Sequence, residues 1–171
     1  LDLYKINAGQ YQAVLKTFDM MGLIQEISDS LLLLPISQGK NVDITFSHSS
    51  CPSDSMCSVL ADFNLTRLSL QNIIQNALEA SQGENKVLID LLCNGVCKIS
   101  IRNSGVVPKE IRDRFFEKYV TAGKKFGTGI GTYSAKLMIE AQGGTIQMET
   151  SDERNETLVT IILPERHAKS I

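Results

Sequence analysis

Apolar and polar positions alternate along this chain with two periods, and the switches between them mark the elements. Asp19 stands as a cap before Met20, Leu23, Ile24, Ile27, Leu31 and Leu34, whose helical spacing predicts a helix from 19 to 34. VDITF at 42–46 reads as a strand, and a polar, Pro-containing loop follows. Residues 60–81, LADFNLTRLSLQNIIQNALEAS, return to the helical period: Leu70, Ile74, Ala77, Leu78 and Ser81 make one stripe, and Asn72, Asn76 and Glu79 the opposite one. Two alternating runs over 86–103, hinged at Asn94 and Gly95, predict a hairpin. Pro108 can open a short helix, KEIRDRFFEKY at 109–119, with Phe115, Phe116 and Tyr119 clustered near its end. A helix is expected after Gly131, ending at Gly143 and Gly144, and a last hairpin joins TIQMET to TLVTIILP. Helices laid on one face of a mixed, mostly antiparallel sheet follow: an α+β fold of the two-layer α/β sandwich kind.

Candidate chemistry lies at the seams of this pattern. In GTGIGTYSAKLMIEAQGG, 127–144, Gly127, Gly129 and Gly131 alternate and run into a helix. Glycine backbone can approach a ligand closely, and the unpaired amides of a first helical turn offer donors to an anion, although a tight turn without a ligand would use the same residues. The Asn72–Asn76 stripe can meet a ligand while its opposite face packs. An amide oxygen suits Mg²⁺, which makes Asn76 the metal candidate; the plain alternative is a solvated helix face. KISIRN, 98–103, ends a strand in a turn at Ser104 and Gly105. TAGKKFGTG, 121–129, is basic, and Lys124 and Lys125 could neutralise phosphate charge or simply be solvated.

Taken in order, these segments resemble the catalytic and ATP-binding domain of sensor histidine kinases, within the group that includes gyrase, Hsp90 and MutL-type ATPases. ADFNLTRLSLQNIIQNALEAS is similar to that family's asparagine box with its lead-in aspartate, and IRNSG to its first glycine box. FFEKY is similar to its phenylalanine box and GTGIGTYSAKLM to its second glycine box. The resemblance implies a Bergerat-type ATP-binding fold with ATP and Mg²⁺ as cofactors. It implies Asn76 as the Mg²⁺ ligand, Asn72, Lys124 and Lys125 at the phosphates, and Asn103 and Gly105 at adenine. Gly127, Thr128, Gly129, Ile130, Gly131 and Thr132 would form the phosphate loop. Residues 1–17 are similar to the end of a dimerisation helix and linker, 18–166 would be the catalytic domain, and 167–171 a tail.

Three positions depart from the family pattern. Asn103 stands where the family usually has an aspartate, so any bond to the adenine amino group lacks charge assistance. Val107 replaces a glycine, and Glu79 stands where many relatives have a lysine. A glutamate general base, usual one turn before the metal asparagine in gyrase-like ATPases, is replaced here by Asn72, which cannot take up a proton. The resemblance therefore implies a domain that presents the γ-phosphate of ATP to a histidine on a dimerisation domain elsewhere, and through it serves a response-regulator receiver domain. His48 follows a predicted strand and His167 lies in the tail; neither is placed as that acceptor. The competing expectation is a degenerate domain serving as a protein-interaction module.

Composition narrows the rest. At 171 residues and 43% hydrophobic the chain can bury one core, and a net charge of −2 without basic runs argues against nucleic acid or a membrane surface. LLLLPI at 31–36 is too short to span a bilayer, and no signal peptide is apparent, so a cytoplasmic setting is expected. Cys51, Cys57, Cys93 and Cys97 lack a CxxC pair and read as four free thiols, with Cys93 and Cys97 near each other across the hairpin and no zinc site.

Overall fold

The computed structural model describes residues 3–37, 39–47, 57–81, 86–93, 96–121 and 128–164. A five-stranded sheet is built from β2 (Asn41–Ser47), β4 (Lys86–Cys93), β5 (Val96–Ser104), β7 (Glu156–Pro164) and β6 (Thr145–Ser151), in that spatial order. β2 runs parallel to β4, and every other neighbour is antiparallel. Strand alternation sends Val87, Ile89 and Leu91, then Cys97, Ile99 and Ile101, then Val159, Ile161 and Leu163 into the core. Three helices cover that face: α2 (Met20–Leu32), α3 (Phe63–Ala80) and α4 (Gly131–Glu140). This is the expected two-layer sandwich.

A second sheet stands apart from the first. β1 (Leu15–Asp19) pairs antiparallel with β3 (Ser58–Asp62), Leu15 opposite Asp62 and Asp19 opposite Ser58. Each strand ends in an aspartate that caps the following helix. Asp19 accepts from the Met21 and Gly22 amides, and Asp62 from those of Asn64 and Leu65. Phe18 and Phe63 meet edge to face at 5.2 Å beside these junctions. A short N-terminal helix, α1 (Leu3–Asn7), rests on α4 and buries Ile6 with Leu65 and Met138.

Several boundaries differ from the pattern-based reading. Residues 60–62 belong to β3, so the asparagine helix begins at Phe63; a cap cannot itself be helical. The first helix stops at Leu32, and Leu34 lies outside it, ahead of a 3₁₀ turn at Pro35–Ser37. KEIRDRFFEKY forms 3₁₀ helix only over Lys109–Arg114. Arg112 there donates to the Val107 carbonyl at 2.8 Å and forks onto Asp152 at 3.0 and 2.5 Å, which holds the segment to the sheet edge. Phe115 and Phe116 stack edge to face at 5.0 Å, but Tyr119 is 74% exposed and leaves their cluster, its φ of 64° turning the chain away.

The cysteines are not all free thiols. Cys57 and Cys93 form a disulfide with a Cα–Cα distance of 6.3 Å, because Cys57, just ahead of β3, lies over the end of β4. Cys97 is a buried free thiol whose pKa is pushed up to about 12 by burial, and it sits opposite Cys93 in the ladder as expected. Cys51 and the Asn94–Gly95 turn lie outside the described residues.

Asp62 does more than cap. Its carboxylate also accepts from the Tyr11 hydroxyl at 2.9 Å and the Val14 amide at 2.8 Å, while its own amide donates to Gln142 Oε1 at 3.1 Å. Asp62→Ala is expected to cost about 3 kcal/mol, the sum of a lost cap and unsatisfied buried donors, read by urea unfolding. Burial first, then the hydrogen bond to Asp62 and its charge, raise the Tyr11 phenol above its ordinary value. That contribution is complete below the ordinary value near pH ~10 and is lost as pH rises through the higher folded value. Tyr11→Phe should therefore be less stable at neutral pH yet lose less stability on alkaline titration; a variant whose alkaline loss matched the parent's would contradict this.

Candidate functional site

A cavity of about 630 Å³ opens between α3, the far end of β5 and the start of α4. The α3 stripe opposite the core supplies one wall. Leu70, Ile73, Ile74, Ala77 and Leu78 are buried against the sheet, and Asn72, Gln75, Asn76 and Glu79 line the cavity. Gln75 Nε2 donates to Glu79 Oε1 at 3.0 Å across one helical turn. Glu79 is the one ionisable residue lining the cavity among those described. The pocket is thus largely a set of amides, hydroxyls and apolar groups.

Its floor is where β5 meets β7. Asn103 is 6% exposed and donates through Nδ2 to the Ser104 carbonyl at 2.8 Å, which fixes the amide so that its oxygen remains the acceptor. Gly105 has φ 103°, and a Cβ there would sit 3.0 Å from the Ala80 carbonyl oxygen, so the strand can leave the sheet under α3 only as glycine. Thr157, also a lining residue, donates to the Gly105 carbonyl at 2.8 Å. Thr150 joins Thr157 at 3.1 Å and accepts from the Val107 amide at 3.2 Å. Val107 does not adopt a positive φ, so a glycine is not needed at that position.

The sequence pattern alone does not single out Thr157. Thr157 falls in phase with Val159, Ile161 and Leu163, the buried set of β7, and a threonine in such a phase is the signal that would have singled it out.

The remaining wall is a backbone clasp. The Tyr119 amide donates to the Gly129 carbonyl at 2.9 Å. Gly129 has φ 65°, and a Cβ would lie 2.7 Å from Tyr119 Cα, so only glycine closes this neck. Thr132 Oγ1 donates to the Phe115 carbonyl at 2.9 Å and ties α4 to the same segment. Ile130, the N-cap residue of α4, gives no side-chain cap, which leaves amides of the first turn at the cavity's rim, where Gly131 and Thr132 line it.

The fold thus gathers Asn72, Asn76, Asn103, Gly105, Thr128, Gly129, Gly131 and Thr132 around one cavity. Ile130 lines a smaller neighbouring cavity of about 280 Å³ instead, together with Leu3, Tyr4 and Tyr133. There Tyr133 donates to Asn7 Oδ1 at 2.9 Å and Lys118 Nζ lies 4.8 Å from the Tyr133 ring centre. Lys124, Lys125, Gly127, His48 and His167 lie outside the described residues.

Comparison with known proteins accords with this geometry. Residues 62–167 match the family described as histidine kinase-, DNA gyrase B- and HSP90-like ATPase. The sensor protein VanSC of Enterococcus gallinarum is 31% identical over 104 residues, 56% of this chain and 29% of that protein. The solved catalytic domain of the histidine kinase ThkA is 28% identical with a TM-score of 0.70, covering 89% of this chain and 96% of that one. The mycobacterial sensor histidine kinase MprB, 19% identical with a TM-score of 0.72 over 91% of this chain and 100% of that one, shares the fold. The chain spans between 9% and 29% of the length of the curated relatives it matches. The chain belongs to the histidine kinase-, DNA gyrase B- and HSP90-like ATPase family, and its architecture within that family is that of a histidine kinase catalytic domain.

Proposed function

We propose that this chain is the ATP-binding catalytic domain of a two-component sensor histidine kinase, presenting the γ-phosphate to a histidine on a separate dimerisation domain. The observation that carries this reading is the arrangement of the cavity: the Asn72–Asn76 stripe and the uncapped start of α4 at one side, and the Asn103–Thr157 floor at the other. Exposed helical amides suit phosphates. A buried, oriented amide at the floor suits the polar edge of adenine, with Val107, Ile111 and Phe115 as an apolar wall for its ring.

Mg²⁺ fits the donors present, since Asn76 and Glu79 line the cavity and offer hard oxygens of the kind this ion takes. Asn76 would hold it, and the ion would supply charge neutralisation for the phosphates. Asn72 and the lysines at 124 and 125 would hold phosphate oxygens. No residue lining the cavity is paired as nucleophile and base among those described, which supports transfer to an outside acceptor rather than rapid hydrolysis. Residues 1–17, the last three of them already paired with β3 in β1, would lead from that dimerisation domain into the catalytic domain, 18–166, with a tail at 167–171 and a response-regulator receiver served in turn. Among the described residues no helix is long and apolar enough to cross a membrane. We propose a cytoplasmic setting and no nucleic-acid partner, the latter resting on the net charge of −2 without basic runs.

ATP with Mg²⁺ at ~100 times its dissociation constant should stabilise the fold by about 2.7 kcal/mol, or roughly 5 to 10 °C in melting temperature. Asn76→Ala should remove the dependence on Mg²⁺, whereas Asn72→Ala should weaken binding and keep it. A melt indifferent to nucleotide would favour the interaction-module reading, and an unaltered Mg²⁺ response in Asn76→Ala would return that residue to a polar helix face.

Asn103→Asp should tighten ATP binding by about tenfold, the ~1.4 kcal/mol between neutral and charge-assisted bonds. It should also lower the melting temperature without nucleotide, since a carboxylate would face the Ser104 carbonyl that Nδ2 now satisfies. Calorimetry with ATP and GTP reads both arms; unchanged affinity and selectivity would mean that Asn103 does not contact the base.

A further inference from the structure

Cys57, Cys93 and Cys97 bring their sulfurs within 4.8 Å of one another, far from the cavity. Cys97 is six residues from Asn103 along β5, roughly 20 Å at strand rise, so the cluster belongs to the opposite end of the sheet. We propose that, once the Cys57–Cys93 bond is reduced, these three residues form a trithiolate site for one thiophilic d¹⁰ cation, Zn²⁺ or Cu⁺.

Three separate segments deliver the ligands, and each is held by backbone bonds. The Cys57 carbonyl accepts from the Met20 amide at 2.9 Å, just ahead of β3. Cys93 and Cys97 are direct partners in the β4–β5 ladder. Three sulfurs bound at ~2.3 Å to a shared ion lie roughly 4 Å apart, inside the 4.8 Å within which these three already lie. Cys57 and Cys97 are each 3% exposed, which keeps competing water away. No histidine or carboxylate belongs to the cluster among the described residues, so the donor set is purely soft and disfavours Mg²⁺, Ca²⁺ and Mn²⁺.

Opening the disulfide takes two electrons. With a phosphine as reductant, the oxygen of one water goes to the phosphine oxide and its two protons to the two sulfurs. Binding then exchanges the ligand thiol protons for the ion and releases them to solvent.

The test uses the full chain carrying Cys51→Ser, so that only these three thiols remain, reduced with a phosphine and desalted without oxygen. Zn²⁺ is titrated against a chromophoric chelator, and Cu⁺ in a separate arm against a cuprous chelator. One equivalent retained in either arm, with an X-ray absorption shell of three sulfurs at roughly 2.3 Å, is the expected result, and the arm that retains its ion identifies it. Cys97→Ser should weaken retention by roughly tenfold or more, with far-UV unfolding checking that the variant is folded. The proposal is overturned if neither ion is retained, if the shell contains two sulfurs or fewer, or if folded Cys97→Ser binds as tightly as its parent. The sulfur count needs no Cys97 variant, and no arm depends on nucleotide, so the outcome is independent of the ATP-binding assignment.

Discussion

The Asp62 carboxylate accepts hydrogen bonds from Tyr11, Val14, Asn64 and Leu65, and its amide reaches Gln142 at the end of α4. At 2% exposure a carboxylate with fewer donors would be costly, and the fold supplies them from two segments, residues 11–14 and the first turn of α3. The N-terminal segment is fastened, the β1–β3 ribbon is closed and α3 is started at one residue. Gln142 extends the same network, accepting from Thr66 at 3.3 Å and donating to the Met138 carbonyl at 3.3 Å, so α3 and α4 are locked in register near this end. The Asn72–Asn76 wall and the α4 amides face each other across the cavity because of that lock.

The opposite end of the cavity is set by close approach rather than by charge. Gly129 and Tyr119 touch backbone to backbone, and Gly105 slips beneath Ala80. Gly131, by contrast, has no positive φ, and a Cβ there would meet nothing nearer than Asn72 Cγ at 4.0 Å. The two described glycines of this run, 129 and 131, thus do not share one purpose. The one at 129 is demanded by its backbone contact with Tyr119, and the one at 131 is compatible with a side chain in this structure.

What could be read from sequence followed from how local each signal is. The sheet strands 86–93, 96–104 and 156–164 alternate over long runs, and α2 and α3 carry caps beside apolar stripes, so both were legible. β1 and β3 were not, being five residues each, only partly buried and paired across some forty positions of chain. The 3₁₀ segment at 109–114 looked helical because amphipathic spacing says nothing of Arg112 being held by Val107 and Asp152. Asn72, Asn76 and Asn103 were legible as a stripe and a strand end, whereas Thr157 depends on which face of β7 turns inward. Nothing in their spacing joins Cys57 to Cys93; the crossing of the ribbon over the sheet does.

The cavity's electrostatics bear on why such a domain would need a partner. Glu79 is the one charge among its described lining residues, and the α3 position where a proton acceptor would serve hydrolysis is an amide. On the proposed reading, a polyphosphate held by amides, hydroxyls and a divalent ion would be bound without being activated toward water. Under the proposed function, transfer would await a nucleophile with its own basicity, supplied from outside this domain. Beside that cavity, the contact of α1 with α4 brings Tyr133 to Asn7, with Lys118 over the same ring. Tyr119 and Ile130, which flank the Gly129 clasp, line the same small cavity as Leu3, Tyr4 and Asn7 of α1.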